Sequence, residues 1–327
     1  MGLVGAGLIA GVHARAYGRV PGVRLVAVLD PVTEKARRLG EAHETEVAPD
    51  LDALLALGVD IVDVCTPPRH HAAATIAALR AQRHVMCEKP LTRTLEDARR
   101  VVEVAEQSPG VLMVGHVSRF EPDHRAARDL AVAGEVGQVR LLAHSTTSAL
   151  PQWSEGAWLA DPVASGGPLL DQAVHSFDFA RWVIGSPAVR VHCMAADTPA
   201  GPATYALSTV RYANGAIAHV ECSWAHPASS GFRLVAEAVG TAGKIDWSYD
   251  HLMGGVLHRR DEPTEWWDVL GERGFTTELT AFLDAVRNGG PSPVPAREAM
   301  EALRTSLAAL QSARSGETVD LTTWESS

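Results

Sequence analysis

The first ten residues constrain the fold of this chain more than any other stretch. A short apolar run leads directly into Gly5-Ala-Gly7-Leu-Ile-Ala10, and a helix is predicted behind it, over residues 12–20. In such a turn the first glycine permits a sharp bend, the second lets the backbone approach a pyrophosphate, and a small third residue lets helix and strand pack closely. The N–H groups of the helix N-terminus would face the phosphates. Taken alone, the pattern fits an ordinary glycine-rich loop equally well.

The next segment favours a dinucleotide site over a loop. A second apolar run, residues 23–29, ends in Asp30, roughly 20 residues after the glycine pattern, where an acid can bind the adenosine ribose hydroxyls. A carboxylate at this position would repel the 2′-phosphate of NADP, so we expect NAD as the cofactor. Because only four residues precede Gly5, the first strand is predicted to be unusually short or the start to be truncated.

Strands and helices alternate up to about residue 115. The predicted strands are apolar runs without polar alternation, which is typical of parallel strands buried on both faces. They cover residues 3–4, 24–29, 61–65, 85–87 and 111–114. The helices between them cover residues 33–42, 51–57, 71–81 and 95–106. Repeated units of this kind form a doubly wound parallel sheet, which binds ligands beyond the carboxyl ends of its strands.

The pattern changes after Pro122, where the predicted strands become long and alternate polar with apolar residues. They cover residues 139–147, 189–195, 206–212, 216–224, 232–239 and 244–247, with helices over 123–132, 167–184 and 295–312. Asn214-Gly215 predicts a hairpin turn between two of these strands. We therefore predict a dinucleotide-binding domain over residues 1–118 and, over 119–327, an α+β domain with a large, mostly antiparallel open sheet. The free face of such a sheet predicts a homodimer or homotetramer.

Composition excludes several classes of partner. A net charge of −10 disfavours nucleic acid and anionic membranes, which carry the same sign of charge. No apolar run reaches the roughly 20 residues of a membrane span, and we expect no signal peptide ahead of the glycine pattern. The four cysteines stand singly in apolar runs, which is typical of reduced thiols in a cytoplasmic protein. They are Cys65, Cys87, Cys193 and Cys222.

Two polar groups are candidates for chemistry. Lys89, in Glu88-Lys89-Pro90, directly follows a predicted strand at the ligand-binding edge, although a lysine there is usually just solvated. Asp171, His175 and Asp178 stand at i, i+4 and i+7 behind Gly166-Gly167-Pro168 and would share one helical face. An aspartate and a histidine one turn apart could orient a hydroxyl and take its proton. A helix-stabilising pair, a purely structural Asp178, and a metal site remain as alternatives, but we see no third ligand at metal-binding spacing.

Six motifs in order resemble the Gfo/Idh/MocA family, the relatives of glucose-fructose oxidoreductase and inositol dehydrogenase. The motifs are Gly5-x-Gly7-x-x-Ala10-x-x-His13, Asp30, Thr66-Pro67-x-x-x-His71, Glu88-Lys89-Pro90, Arg119-Phe120-x-Pro122 and Gly166-Gly167-x-x-x-Asp171-x-x-x-His175. The resemblance spans nearly the whole chain. It departs from the family pattern at Pro168, which replaces a glycine, and at Pro68, where asparagine is frequent.

The resemblance implies an NAD(P)-dependent oxidoreductase with a Rossmann domain. Such an enzyme acts on a secondary alcohol or ketone of a sugar, inositol or related polyol. Lys89 would bind the reacting oxygen, His175 would be the general acid/base and Asp171 would hold a substrate hydroxyl. The Lys89–Pro90 bond is expected to be cis. The residues implied in cofactor binding are Gly5, Gly7, Leu8, Ile9, Ala10, Asp30, Thr66, Pro67, His71, Glu88 and Lys89.

Several interpretations of the function and of single residues remain open. A redox-neutral, NAD-dependent glycoside hydrolase and a non-catalytic NAD-binding regulator are the alternatives to a dehydrogenase. His71 is expected to support its loop rather than to react, and His116 could touch substrate. The aromatic residues Trp153, Trp158 and Trp224 could line a polyol pocket or belong to the core.

Overall fold

In a computed structural model of the protein, the residues described are 1–152, 155–198, 200–249, 254–259, 265–268 and 274–325. They form two compact units. The first combines Met1–Val117 with Arg273–Met300, and the second combines Ser118–Glu272 with Glu301–Ser327. No helix in the described ranges is both long enough and apolar enough to cross a membrane.

The first unit is built on a six-stranded parallel sheet. Its strands are β1 (Gly2–Val4), β2 (Ala27–Leu29), β3 (Glu46–Val47), β4 (Ile61–Val64), β5 (His84–Glu88) and β6 (Leu112–Gly115). Their order is β3-β2-β1-β4-β5-β6, so the direction of winding reverses between β1 and β4. Its helices up to this point are α1 (Leu8–Tyr17), α2 (Thr33–Ala42), α3 (Leu51–Ala56), α4 (His71–Arg80) and α5 (Leu95–Gln107). The predicted doubly wound parallel sheet is confirmed.

The second unit contains a nine-stranded, mostly antiparallel sheet. Its strands are β7 (Val139–Thr147), β8 (Ala188–Thr198), β9 (Gly201–Tyr212), β10 (Ile217–Ser223), β11 (Arg233–Gly240), β12 (Gly243–Tyr249), β13 (Gly254–Arg259), β14 (Glu265–Asp268) and β15 (Val319–Asp320). They are arranged in the order β14-β13-β12-β11-β7-β10-β9-β8-β15, with β7 and β10 parallel. The predicted Asn214-Gly215 turn joins the antiparallel pair β9 and β10, with Gly215 at φ 83°.

Helices complete both units. The second unit has α6 (Pro122–Val132), α7 (Pro162–Ser165), α8 (Gly167–Asp171) and α9 (Ala173–Ile184), followed along the chain by α10 (Gly274–Asn288) and α11 (Ala296–Ser315). Helix α10 belongs to the first unit, where it packs on α1. Helix α11 starts in the segment assigned to the first unit and ends in the second. Residues 273–300, which the sequence analysis grouped with the second domain, therefore pack with the first unit.

Several predicted boundaries change for local reasons. Helix α1 begins at Leu8, directly behind the glycine turn, and ends at Tyr17 with Gly18 as its C-cap. The single helix expected over residues 167–184 is two helices, because the backbone N–H of His175 donates to the Gln172 carbonyl three residues back, at 3.2 Å. Helix α10 and strands β3 and β13–β15 were not predicted from the sequence.

Candidate functional site

The glycine turn after β1 has the shape that a pyrophosphate requires. Gly5 adopts φ +101°, and a Cβ on it would lie 2.7 Å from the carbonyl oxygen of Cys65. A Cβ on Gly7 would meet no described atom within 4 Å, so the space in front of α1 is open. Helix α1 has no acidic residue in its first turn and no side-chain cap from the described residues. Its N-terminal N–H groups are therefore suited to bind an anion.

Asp30, at the end of β2, is fixed beside this turn. Its Oδ2 accepts a hydrogen bond from the Ala6 backbone N–H at 2.8 Å, and its Oδ1 accepts one from Val32 N–H at 2.8 Å. A carboxylate has about four acceptor sites, so capacity remains for ribose hydroxyls. Arg37 and Arg38 both pair with Glu34 on the exposed side of α2, as expected for residues that do not hold a phosphate.

The loops after β1 and β4 flank the position where the winding of the sheet reverses. In sheets of this kind, ligands bind in the crevice at that position. The loop after β4 carries Thr66 and Pro67, both half-buried. Thr66 Oγ1 is buried and has no hydrogen-bond partner within the described ranges. An open space at Gly7, an unpaired hydroxyl and a free helix end are features that a dinucleotide fits. Leu8 is exposed and Ile9 half-buried in front of α1, whereas Ala10 is fully buried against the sheet.

His71 joins two of these loops from the N-terminus of α4. Its ring is fully buried, with Nδ1 2.9 Å from the carbonyl oxygen of Pro90 and Nε2 2.7 Å from that of Thr66. Burial lowers the pKa of His71, and the two carbonyl oxygens oppose that shift. The contacts agree with the predicted supporting role; a direct role in cofactor binding stays a prediction.

Glu88, Lys89 and Pro90 form the turn that follows β5. Glu88 is 7 % exposed, and its Oε2 accepts a hydrogen bond from the Lys89 backbone N–H at 3.1 Å. The side chain of Lys89 is half-buried. The Lys89–Pro90 peptide bond is cis, as the family resemblance predicted.

A buried polar network beneath this turn was missed by the sequence analysis. Asp63 lies in the middle of β4 and is fully buried. Its Oδ2 accepts from the Tyr17 hydroxyl at 2.9 Å and lies 2.8 Å from His13 Nδ1, while the Cys65 thiol donates to its Oδ1 at 3.3 Å. A charged residue inside an apolar strand was the available signal, because a buried carboxylate needs partners.

His13 connects this network to the Glu88 turn. Its Nε2 lies 3.3 Å from Glu88 Oε1, as an ion pair rather than an aligned hydrogen bond. Burial lowers the pKa of His13, but the Asp63 carboxylate and the Cys65 sulfur together outweigh burial and hold the pKa well above its ordinary value. His13, Glu88 and Glu278 also bring metal-ligand atoms within 4.8 Å of one another.

The other candidate residues belong to the second unit. Gly166 and Gly167 both adopt positive φ ahead of α8, at 79° and 67°, and Pro168 occupies its first turn. Asp171 ends α8, and His175 lies in the first turn of α9; both side chains are half-buried. Lys89 lies in the first unit, so a common site for these three residues remains a prediction.

Asp178 has a structural partner. Arg119 donates from Nε and from a terminal guanidinium nitrogen to the two Asp178 carboxylate oxygens, at 2.7 Å each, with side chains 4 % and 0 % exposed. This bidentate pair joins the Arg119 motif to α9. The structural alternative for Asp178 is therefore the one that the contacts support.

A second buried histidine network lies behind His175. His144 Nδ1 is 2.9 Å from the Ser176 hydroxyl, and its Nε2 is 3.2 Å from His124 Nε2. His124 Nδ1 is in turn 3.0 Å from Asp123 Oδ1. Burial, followed by the neighbouring His124, lowers the pKa of His144 to about 3.

The remaining sequence candidates are dispersed. His116 is fully buried. Trp224 is 2 % exposed, so it belongs to the core of its unit, while Trp158 is half-buried in a 3-10 turn. Trp153 lies outside the described residues.

Two family profiles match this chain, one in each unit. Residues 1–116 match the GFO_IDH_MocA profile, described as an oxidoreductase family with an NAD-binding Rossmann fold, and residues 124–246 match the GFO/IDH/MocA C-terminal domain. The chain belongs to the Gfo/Idh/MocA family. Membership in this family confirms the predicted resemblance, the oxidoreductase class and NAD as the cofactor.

Several relatives of this Gfo/Idh/MocA protein are named as inositol or sugar enzymes. It is 33% identical to "Inositol 2-dehydrogenase 4" of Saccharopolyspora erythraea, over 89% of this chain and 86% of that one. It is 30% identical to "1,5-anhydro-D-fructose reductase" of Ensifer adhaerens, over 98% of both chains. Among solved structures, GenD2 from gentamicin A biosynthesis, in complex with NAD, is 26% identical with a TM-score of 0.85, over 98% of this chain and 95% of that one.

Proposed function

We propose that this protein is an NAD-dependent dehydrogenase that acts on a secondary alcohol or ketone of a sugar, inositol or related polyol. The observation that carries the proposal is the Glu88-Lys89-Pro90 turn. It follows β5, which lies between β4 and β6, at the carboxyl edge of the sheet, the edge that also carries the glycine turn and the Thr66 loop. The dehydrogenase and reductase names of the relatives support the same reaction class.

The proposed mechanism divides the work between cofactor and protein. When bound, NAD supplies the acceptor or donor of the hydride. His175 removes the proton of the substrate hydroxyl as a general base. Lys89 stabilises the developing alkoxide with its positive charge, which has the greatest effect when water is excluded. Asp171 binds a neighbouring substrate hydroxyl and orients the reacting carbon.

The proposed preference for NAD over NADP depends on Asp30. Two backbone N–H groups hold its carboxylate beside the glycine turn, where it would repel a 2′-phosphate. Arg37 and Arg38 are already paired with Glu34. The expected result is a lower Kd for NAD than for NADP, measured by titration calorimetry; equal affinities would contradict the preference.

The test of the proposed function is NADH formation at 340 nm over a panel of inositols, aldoses and sugar acids. Lys89→Ala and His175→Ala should each lower kcat by roughly 10²- to 10⁴-fold, the range for lost proton-transfer catalysis, while NAD binding persists. Lys35→Ala and His43→Ala serve as matched controls, since both residues lie on or next to α2, outside the proposed machinery. Normal turnover in both test variants would contradict the assigned roles.

The same panel separates the alternatives. A redox-neutral hydrolase would consume a glycoside without net NADH formation, and a regulator would bind NAD and turn over neither class of compound. The presence of Lys89, Asp171 and His175 together favours catalysis, because a sensor requires none of them.

We further propose a homodimer or homotetramer formed through the second sheet, in the cytoplasm. In support, β9 alternates buried residues with more exposed ones along its length, and Met194 on the neighbouring β8 is 63% exposed. The four cysteines are free thiols. Light scattering coupled to gel filtration would give the mass in solution, and a monomeric mass would contradict the oligomer.

A further inference from the structure

The direction in which Lys89 leaves its turn depends on contacts at both ends of Glu88-Lys89-Pro90. At the Pro90 end, the carbonyl oxygen lies 2.9 Å from Nδ1 of His71, which also contacts the loop after β4. At the Glu88 end, the carboxylate turns back and accepts from the Lys89 backbone N–H. The backbone that carries Lys89 is therefore fixed by a side chain, Glu88, that must itself be held.

Glu88 is held in a narrow space. It packs against Gly115 on β6, where an added Cβ would come within 2.8 Å of Glu88 Oε1. The same Oε1 lies 3.3 Å from His13 Nε2. Glycine at 115 therefore makes room for the carboxylate, and the imidazole of His13 closes the space on the side of Oε1.

His13 is well anchored on its other side. Its Nδ1 lies 2.8 Å from the Asp63 carboxylate, which also accepts from the Tyr17 hydroxyl. The ring contacts Phe275 of α10, with centroids 5.7 Å apart. His13, Asp63 and Tyr17 are all essentially inaccessible to solvent. A fully buried ring that is fixed by an ionised carboxylate is suited to position other groups, because little freedom remains to it.

We propose that His13 is a positioning residue that, through the Glu88 carboxylate, sets the orientation of the Lys89 turn. Asp63 and Tyr17 hold the imidazole, the imidazole holds Glu88, and Glu88 holds the Lys89 backbone N–H. The role of Lys89 in catalysis belongs to the proposed function above, and this inference rests on it.

The first test compares two substitutions, each of which places an amide near one of the two imidazole nitrogen positions. The side-chain amide of His13→Asn lies near the former Nδ1 and can still reach Asp63, but not Glu88. The longer side chain of His13→Gln reaches the former Nε2 position and Glu88. We expect His13→Asn to lower kcat by at least about tenfold, because small misplacements of a catalytic group are costly. His13→Gln should recover most of that loss, and the Kd of NAD should stay within about twofold in both variants.

The second test does not depend on turnover. The chain contains three lysines, Lys35, Lys89 and Lys244, so reductive methylation with ¹³C gives a simple NMR spectrum in which Lys89→Arg identifies the Lys89 signal. The Lys89 signal should move in His13→Asn and return towards its original position in His13→Gln, while the Lys35 and Lys244 signals serve as internal references and stay unchanged. A shift of Lys89 in a protein that oxidises no compound of the panel would support the positioning role and contradict the proposed function.

Three results would overturn the inference. The first is an unchanged Lys89 signal in a folded His13→Asn protein with normal kcat. The second is an equal loss of kcat in the Asn and Gln variants together with a parallel loss of NAD affinity, which would indicate a cofactor-binding role. The third is a stoichiometric divalent metal, found by elemental analysis in the wild type and absent from His13→Asn. In that case His13, Glu88 and Glu278 would hold the metal, and the direct His13–Glu88 contact would not be the functional one.

Discussion

His13 in the first unit and His144 in the second are equally buried, with 0% and 2% exposure, yet their pKa values move in opposite directions. His13 faces the Asp63 carboxylate and the Cys65 sulfur, and these two neighbours outweigh burial and raise its pKa well above the ordinary value. His144 faces a second imidazole, His124, and its pKa is lowered to about 3. Burial disfavours the charged form of both. At equal burial, the neighbouring groups therefore decide in which direction the pKa of a core histidine moves.

The two networks also differ in how their protons are placed. In the first, the Asp63 carboxylate can only accept, so the proton at this contact lies on Nδ1 of His13. In the second, a single proton lies between the two Nε2 atoms of His124 and His144, 3.2 Å apart, because two N–H groups cannot face each other there. The second network therefore depends on which imidazole carries that proton, and it reaches Ser176, the neighbour of His175 in sequence.

Removal of the Asp63 carboxylate from the first network should have the largest effect on stability. Asp63→Ala should lower the free energy of unfolding by about 3–5 kcal/mol, because it leaves a buried cation without its partner. Asp60→Ala, at an exposed position just before the same strand, should change it by less than about 0.5 kcal/mol. Urea unfolding of both variants gives the values. Equal losses would show that Asp63 is not held as an ion-pair partner.

The contribution of His13 to the free energy of unfolding should fall as the pH rises. A pKa that is higher in the folded than in the unfolded state adds stability below the unfolded value of about 6.5, and this contribution is lost as the pH rises towards the folded pKa. Relative to His13→Gln, the wild type should therefore lose stability above pH 6.5, with a slope of up to about 1.4 kcal/mol per pH unit. Unfolding curves between pH 6 and 9 test this, and a difference that is flat over that range would contradict a charged His13.

His144 should show the opposite slope. Its pKa is lowered in the folded state, so its neutral form contributes stability above about pH 6.5, and this contribution is lost as the pH falls towards 3. Relative to His144→Gln, the wild type should lose about 2 kcal/mol between pH 8 and pH 5. If His144→Gln and the wild type unfold in parallel over this range, His144 is not held neutral by the fold.

The smallest expected effect is at the end of the second network. Ser176→Ala removes the hydroxyl beside His144 Nδ1 and should lower the free energy of unfolding by about 1 kcal/mol, the usual value of a buried hydrogen bond. Ser229→Ala, at an exposed position, is the matched control with no measurable change expected. Urea unfolding gives the loss of unfolding free energy in both variants. Equal losses would show that the Ser176 hydroxyl does not stabilise the network.

The sequence predicted the parts of this protein that depend on local patterns. Helix α2 and strand β7 begin and end where expected, and the Thr94 hydroxyl caps α5 by accepting from the Asp97 N–H. These features depend on spacing and capping over a few residues. The fold class follows from the change between apolar strands and alternating ones, which is also local.

Local patterns could not predict contacts between residues that are far apart in the sequence. His13 and Asp63 are 50 residues apart, and Arg119 and Asp178 are 59 apart, so no periodicity links them. Helix α10 shows helical spacing at Leu279, Phe282 and Leu283, all buried, yet its packing on α1 depends on a partner more than 250 residues away in the sequence. The candidate residues after β1, β2, β4 and β5 were predictable because parallel strands present their carboxyl ends along one edge.

Helix α11 contains one of the positions at which the chain passes from one unit to the other. The assignment of residues to units changes at Val117/Ser118, at Glu272/Arg273 and, within α11, at Met300/Glu301. The units are thus interleaved along the sequence. A gene cut after residue 118 would leave the nucleotide-binding half without the helix that covers α1 and without the Val294 carbonyl to which the Val114 N–H donates. Residues 1–118 are therefore not a self-contained nucleotide-binding unit, and an exchange of that unit between proteins would have to include residues 273–300.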